Sequence, residues 1–235
     1  MTLRLDQFVS QATGLSRKQA GQYIRQKRVL IAGQSTIKAG QQVAPDANIL
    51  LDNQPLTLPG NIYLMLNKPA GVVSATHDAT QRTVMECVDH PHAHTLHIVG
   101  RLDKDTTGLL LLTNDGQWSH RISSPRHHVA KTYLVTLTEA LDESAAEKLR
   151  IGIQLKGEVK STQPAQVEIL PEQQARIIIH EGKYHQVKRM FAAVGYHVCA
   201  LHREQIGEWR LPEDLASGEW RELSIGLPEP DSECL

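Results

Sequence analysis

The sequence predicts an α+β protein built of a small basic N-terminal module and a larger body, and three observations carry that expectation. Residues 5 to 28 place apolar side chains at helical spacing. From residue 131 onward, strand-like alternation and an antiparallel pair precede one more helix. Charge is also divided. Residues 1 to 45 hold seven cations against Asp6 alone, a balance of +6; the other 190 of the 235 residues hold 18 cations and 25 acids, a balance of −7.

With 40% hydrophobic residues the chain can bury a sizeable core. No stretch approaches the roughly 20 apolar residues of a membrane span, and Met1-Thr2-Leu3-Arg4-Leu5-Asp6 lacks a secretory apolar core, so a soluble cytoplasmic protein is expected. Cys87, Cys199 and Cys234 are odd in number and scattered, which suits free thiols in a reducing compartment.

In the first segment Leu5, Phe8, Val9 and Ala12 recur at i, i+3, i+4 and i+7, giving a helix that ends near Gly14. Ser16 is the N-cap of a second helix, in which Ala20, Tyr23 and Ile24 share one side and Arg17, Lys18, Arg25 and Arg28 another. A charge run is commonly a solvated face, but solvated faces mix signs, and no acid occurs from residue 7 to residue 45. With Arg4 these side chains are candidate contacts to a nucleic-acid backbone. Val29-Leu30-Ile31 and Ile49-Leu50-Leu51 follow as short strands around Gly33 and Gly40. Pro55 to Gly60, with two prolines, is a linker through which neither helix nor sheet is expected to continue.

The body opens with Tyr63-Leu64-Met65-Leu66-Asn67-Lys68-Pro69-Ala70-Gly71-Val72-Val73, a strand broken by a turn and resumed. His90, His92, His94 and His97 raise the possibility of zinc; no cysteine or carboxylate stands at ligand spacing among them, so a loop without metal is expected. Between Ile98-Val99 and the leucines 109 to 112 lies a tight polar turn, Gly100-Arg101-Leu102-Asp103-Lys104-Asp105-Thr106-Thr107-Gly108. A buried strand anchoring such a turn presents Asp103 or Asp105 to a cleft, although an ordinary Asx turn has the same composition. The spacing also imitates a calcium loop, but its last position falls on Asn114 where a bidentate glutamate is required, and four leucines cannot line an oxygen cage.

No acid occurs between Asp115 and Glu139, a stretch holding Arg126 and Lys131, nor from Gly182 to Arg203. Two further basic surfaces therefore belong to the body. Lys131 to Leu137 alternates as a strand with Lys131, Tyr133 and Val135 on one face, where Tyr133 is either a core aromatic or a base-stacking group. Residues 142 to 150 are helical. Gln166 to Leu170 pairs with Ala175 to His180. Val187, Met190, Phe191 and Val194 mark the buried stripe of a last helix stopped at Gly195, beside Lys188 and Arg189. The acidic, proline-containing end from residue 228 is expected to be a disordered tail.

The order of the first elements, with Arg4-Leu5-Asp6 and Gly14-Leu15-Ser16-Arg17, resembles the S4 RNA-binding domain. Asn67-Lys68-Pro69-Ala70-Gly71, Gly100-Arg101-Leu102-Asp103-x-x-Thr106-x-Gly108-Leu109, Lys131-Thr132-Tyr133 and Glu181-Gly182-Lys183-Tyr184-His185-Gln186-Val187-Lys188-Arg189-Met190 resemble, in that order, the RsuA/RluA pseudouridine synthases. Ser124-Pro125-Arg126-His127-His128 and the run from His185 to Gly195 are similar to that family's small-subunit branch. The resemblance implies an S4-like domain at 1–56, a linker at 57–61 and a catalytic domain at 62–227, the last with a central, mainly antiparallel mixed sheet and flanking helices. It makes Asp103 the catalytic aspartate, Asp105 a bystander or turn cap, Tyr133 the ring that stacks on the target base, and Lys188 the partner of the aspartate, with Arg189 adjacent. Arg101 matches the arginine that fills the gap left by an extruded nucleotide.

The implied reaction is isomerisation of one uridine in 16S ribosomal RNA, at the position conventionally numbered 516, without metal or cofactor. The partner is that RNA or a small-subunit assembly intermediate, met by a monomer. An ionised carboxylate, with a reference pKa of about 3.9, can attack covalently or abstract a proton beside the anomeric carbon. A 23S target, a non-catalytic RNA-binding or ribosome-assembly protein, and a nucleoside hydrolase using Asp103 with Asp105 are the rival readings.

Overall fold

The computed structural model describes residues 2–32 and 37–225, so Gly33 and the expected tail from residue 228 lie outside the described residues. The chain packs as two units, one joining the segment up to Ile62 with His90–Leu96, the other joining Tyr63–Asp89 with the chain from His97 onward.

In the first unit β1 (Leu3–Arg4) leads into α1 (Leu5–Thr13), which stops at Gly14 in the left-handed region, φ 78°. Ser16 caps α2 (Arg17–Arg25) through a reciprocal box: its Oγ accepts from the Gln19 backbone N–H, and Gln19 Oε1 accepts from the Ser16 N–H. Arg28 lies beyond this helix. Two small sheets follow, β3 (Gln42–Val43) beside β1, and β2 (Val29–Ile31), β4 (Ile49–Leu51) and β5 (Gln54–Leu56) in the order β2-β4-β5. Leu5, Phe8, Val9, Ala20, Ile24, Val29 and Ile49 form the unit's core. Two expectations need correction. The sheet does continue through Pro55, opposite Leu50, because β5 is an edge strand where a missing N–H breaks no ladder. The histidine-rich segment belongs to this unit, where His94 Nε2 lies 3.0 Å from the Gln11 carbonyl, so residues 62–227 do not pack as one uninterrupted body.

The second unit runs β6 (Tyr63–Lys68), β7 (His97–Val99), β8 (Thr107–Thr113), α3 (Gly116–Ser123), β9 (Lys131–Leu137), α4 (Glu143–Ile151), β10 (Gln166–Leu170), β11 (Gln174–Ile179), α5 (Gln186–Ala193), β12 (Val198–Ile206), β13 (Trp209–Arg210) and β14 (Trp220–Glu222). Its sheet has the order β10-β11-β9-β12-β8-β6-β14, with β13 on β12 and β7 on β8. Only β8 and β12 pair in parallel among the described strands, at Thr107 with His202 and Gly108 with Arg203. Leu109 to Leu112 are fully buried, as a central strand covered on both faces requires. Cys87 and Cys199 carry free thiols.

β6 stops at Lys68 and does not resume; beyond the Pro69–Gly71 turn Val73 makes a lone bridge to Thr83. Among the elements absent from the sequence expectation are α3 and β12. α3 is composed of poor helix formers and depends on Asp115, whose carboxylate accepts from the Gln117 and Trp118 N–H groups. β12 breaks period-two alternation with register shifts between Val198 and Ala200 and between Arg203 and Gln205. No helix among the described residues is long and apolar enough to cross a membrane.

The parallel crossing makes Gly108 obligatory: φ is +99°, and a Cβ there would meet the Arg203 carbonyl oxygen at 2.4 Å and its nitrogen at 2.8 Å. Gly108→Ala should lower the unfolding free energy by about 2–4 kcal/mol in urea titrations, the combined effect of backbone strain and overpacking. A loss below a few tenths of a kcal/mol would show that β12 is not held this close.

Candidate active site

The turn carrying Asp103 joins β7 to β8 and is clamped from below by the segment after β6. Lys68 is completely buried, and its ammonium donates to the carbonyls of Pro69 (2.9 Å), Lys104 (3.3 Å) and Thr106 (2.8 Å). The Gly71 N–H also donates to the Lys104 carbonyl, at 2.8 Å. Ser74 Oγ donates to the Leu102 carbonyl at 2.7 Å and accepts from the Leu102 N–H at 3.1 Å. The turn's backbone is thus fixed on both sides of Asp103, leaving its side chain to project. Burial pushes the Lys68 ammonium down to about 8, against the pull of Asp105, Cys87 and Asp103. At neutral pH it keeps its three N–H groups.

Asp103 is about one quarter exposed. Its Oδ1 lies 3.3 Å from His185 Nε2 and its Oδ2 3.5 Å from Lys188 Nζ. Lys188 is nearer to Asp105, at 2.5 Å from Oδ1. Asp105 shares the ammonium, whose hydrogen bond holds the Asp105 carboxyl below its ordinary range. α5 supplies Lys188 from its first turn, and His185 stands at its N-cap with φ 47°, a left-handed conformation uncommon for a residue with a Cβ. The Tyr184 ring stacks on His185, centroids 3.8 Å apart and planes at 20°.

Asp103 lines a cavity of about 600 Å³ together with Arg101, Lys131, Tyr133, His185 and Arg203. That volume falls in the range of small-ligand clefts, about 300–1,000 Å³. Tyr133 and Lys131 come from β9, facing the same way as period two requires, and burial lowers the Lys131 pKa. Arg203, from β12, is buried without a carboxylate: its guanidinium donates to the carbonyls of Leu109 (2.8 Å) and Gly100 (3.0 Å) and reaches the Tyr133 hydroxyl at 3.5 Å. Thr106 Oγ1, likewise buried, has no hydrogen-bond partner among the described residues and lines the recess beside Asp103.

Of the expected body residues, Asp103, Tyr133, Arg101 and Lys131 share the cavity and Lys188 adjoins it through Asp103. Arg189 does not reach it. Its guanidinium is spent on Glu158 (3.0 Å) and on the carbonyls of Tyr184 (3.0 Å) and Lys156 (2.6 Å), because the next position on a helix points about 100° away. Arg126 is exposed on the 3-10 turn Pro125–His127. Lys68, His185 and Arg203 were missed. The first two stand inside the quoted motifs, a usable signal, whereas nothing local distinguishes Arg203 in an irregular strand.

In the arm, Asp6 accepts from Arg4 at 2.8 Å and Arg17 at 2.8 Å and is held down to about 2, first by the Arg4 hydrogen bond. Arg28 lies over the Tyr23 ring at 3.8 Å and donates from Nε to Asp52 at 2.9 Å. The expected stripe is thus partly paired; Lys18 and Arg25 stay exposed.

The chain thus combines a carboxylate on a clamped turn of a mixed sheet with a basic N-terminal unit, the two parts of a pseudouridine synthase that carries an S4 domain. The chain belongs to the RNA pseudouridylate synthase family, whose model matches residues 62–193, and residues 3–49 match the S4 domain. It is 48% identical over 233 residues to the Ribosomal small subunit pseudouridine synthase A of Yersinia pestis, covering 96% of this chain and 99% of that one. The protein of the same name from Escherichia coli (strain K12) is 50% identical over 223 residues, covering 94% and 96%. A solved structure described as a crystal structure of pseudouridylate synthase aligns with TM-score 0.69 and 47% identity over 94% of this chain and 96% of that one. The enzyme is accordingly an isomerase.

Lys68→Met should be less stable than wild type by about 1–3 kcal/mol at pH 7, since three carbonyls lose their donor. Below pH 8 Lys68 is protonated in folded and unfolded chains alike. Between pH 8 and about 10.4 only the unfolded chain keeps the proton, so wild-type stability gains up to about 1.4 kcal/mol per pH unit that the variant lacks. Urea titrations of both proteins at pH 7, 8, 9 and 10 should show the gap widening; a constant gap contradicts the lowered pKa.

Proposed function

We propose that this enzyme converts one uridine of 16S ribosomal RNA to pseudouridine, at the position conventionally numbered 516, acting in the cytoplasm as a single chain on that RNA or on a small-subunit assembly intermediate. The printed names of its relatives support the substrate class. The observation that carries the chemistry is the Asp103 carboxylate opening into one cavity with Tyr133, Lys131 and Arg101 while Lys188 and His185 flank its two oxygens.

The reacting C1′–N1 bond is inaccessible in a stacked helix, so the nucleotide is extruded, at a cost of a few kcal/mol offset by cationic contacts to phosphates. Arg101, exposed at the cavity wall, fills the gap left behind. Asp103 acts at the anomeric centre through its carboxylate, by attack on C1′ or by removing the C2′ proton. Tyr133 stacks on the released uracil as it turns. C5 then bonds to C1′ as the Asp103–C1′ ester bond breaks or, on the other route, as Asp103 returns the proton to C2′; the C5 proton leaves and N1 gains one, so atoms balance without any oxidant, metal or cofactor. Arg126 and Lys131 on the body and Lys18 and Arg25 on the arm meet the RNA backbone, with Arg4, Arg17 and Arg28 adding charge from their paired positions.

Asp103→Asn should bind the RNA with near-normal salt dependence and form no pseudouridine in base-resolved mapping; retained activity would refute the assignment. Replacing Lys18 and Arg25 together by Ala should reduce the slope of log affinity against log salt by about 1.4–1.8, the contribution of two phosphate contacts. An unchanged slope would remove both from the RNA interface.

A further inference from the structure

Tyr184 is the only Phe, Tyr or Trp that is exposed among the described residues, at 76% of its surface, and it lines the same cavity as Asp103. Burying an aromatic ring is favourable, and this one is left open at the wall of the site. One face is already taken by His185 at 3.8 Å. His185 in turn is fixed by its left-handed backbone and reaches Asp103 Oδ1 at 3.3 Å. The tyrosine backbone is held too, because its carbonyl accepts from Arg189 at 3.0 Å. The result is a supported aromatic surface at the wall of the cavity, beside lysine and arginine side chains and, among the described residues, 76% exposed.

We propose that the open face of Tyr184 is a second nucleotide subsite, on which an RNA base next to the extruded uridine stacks. This rests on the reading that the cavity receives an extruded RNA nucleotide. A nucleobase fits because it is flat, carries a π face whatever its identity, and arrives tethered to the phosphate chain that the basic surfaces attract. The stack also links recognition to chemistry, since a base seated on Tyr184 presses on the imidazole that borders the catalytic carboxylate. Tyr184 is thereby a substrate-positioning residue, and the Tyr184–His185 pair carries no bond-making role.

The test uses the full-length enzyme and a 16S RNA fragment containing the target uridine, with pseudouridine formation as readout. Tyr184→Ala should raise KM about tenfold or more with kcat within about twofold, and Tyr184→Phe, which keeps the ring, should restore the wild-type KM. With fragments bearing an abasic nucleotide on one side or the other of the uridine, one of the two should bring the wild-type KM up to that of Tyr184→Ala, while costing that variant nothing more. Normal turnover with equal KM for wild type and Tyr184→Ala, or equal losses on both abasic fragments for both proteins, would overturn the subsite while leaving the uridine-isomerising reading intact. Absence of pseudouridine with the wild-type enzyme would instead strike that reading, and the subsite with it.

Discussion

Everything at the active site leans on one buried ammonium. Lys68 ends β6 with no exposed surface, and the three carbonyls it binds all belong to its own turn or to the turn carrying Asp103. Burying a charge is expensive unless its hydrogen bonds are satisfied, and here each N–H finds an oxygen. The arrangement works in both directions. The turn's polar backbone, which cannot join the sheet, acquires a donor, and the donor is locked by the β6–β8 ladder, where Lys68 sits opposite Gly108.

A second buried cation ties this turn to the far side of the cavity. Arg203 reaches Gly100 before the turn, Leu109 after it, and the Tyr133 hydroxyl on β9, so three strands of the sheet converge on one planar fork. It can do so only because β12 approaches β8 at Gly108, where any side chain would strike the Arg203 backbone. The position of Tyr133 relative to Asp103 is therefore a property of strand pairing, not of loop flexibility. Preorganisation of this kind is what a reaction needs when a detached base must be held while it turns.

Electrostatics in the two units follow different designs. At the cavity, Asp103 faces an imidazole and an ammonium, and the exposed Asp105 shares the ammonium. In the arm, Asp6 gathers Arg4 and Arg17, while Asp52, from outside the acid-free stretch, engages Arg28. Pairing orients these guanidiniums without cancelling the arm's excess of positive charge, because one acid serves two arginines.

The sequence by itself determined the local content: helices from Ser16 capping and apolar spacing, the hairpin of β10 and β11, the leucine strand, the basic arm, and the motifs whose family resemblance implied Asp103, Tyr133 and Lys188 as one group. These are set by periodicity, caps and contiguous motifs, which act over a few residues. The tertiary structure decided what depends on distant segments meeting. It put Pro55 on an edge, drew His90–Leu96 into the N-terminal unit, turned Arg189 to Glu158, gave Lys188 to Asp105 as well as Asp103, and brought Arg203 and His185 to the cavity. Each of those outcomes is fixed by which carbonyl or carboxylate lies within hydrogen-bonding reach after the sheet has closed, and no spacing along the chain encodes that distance.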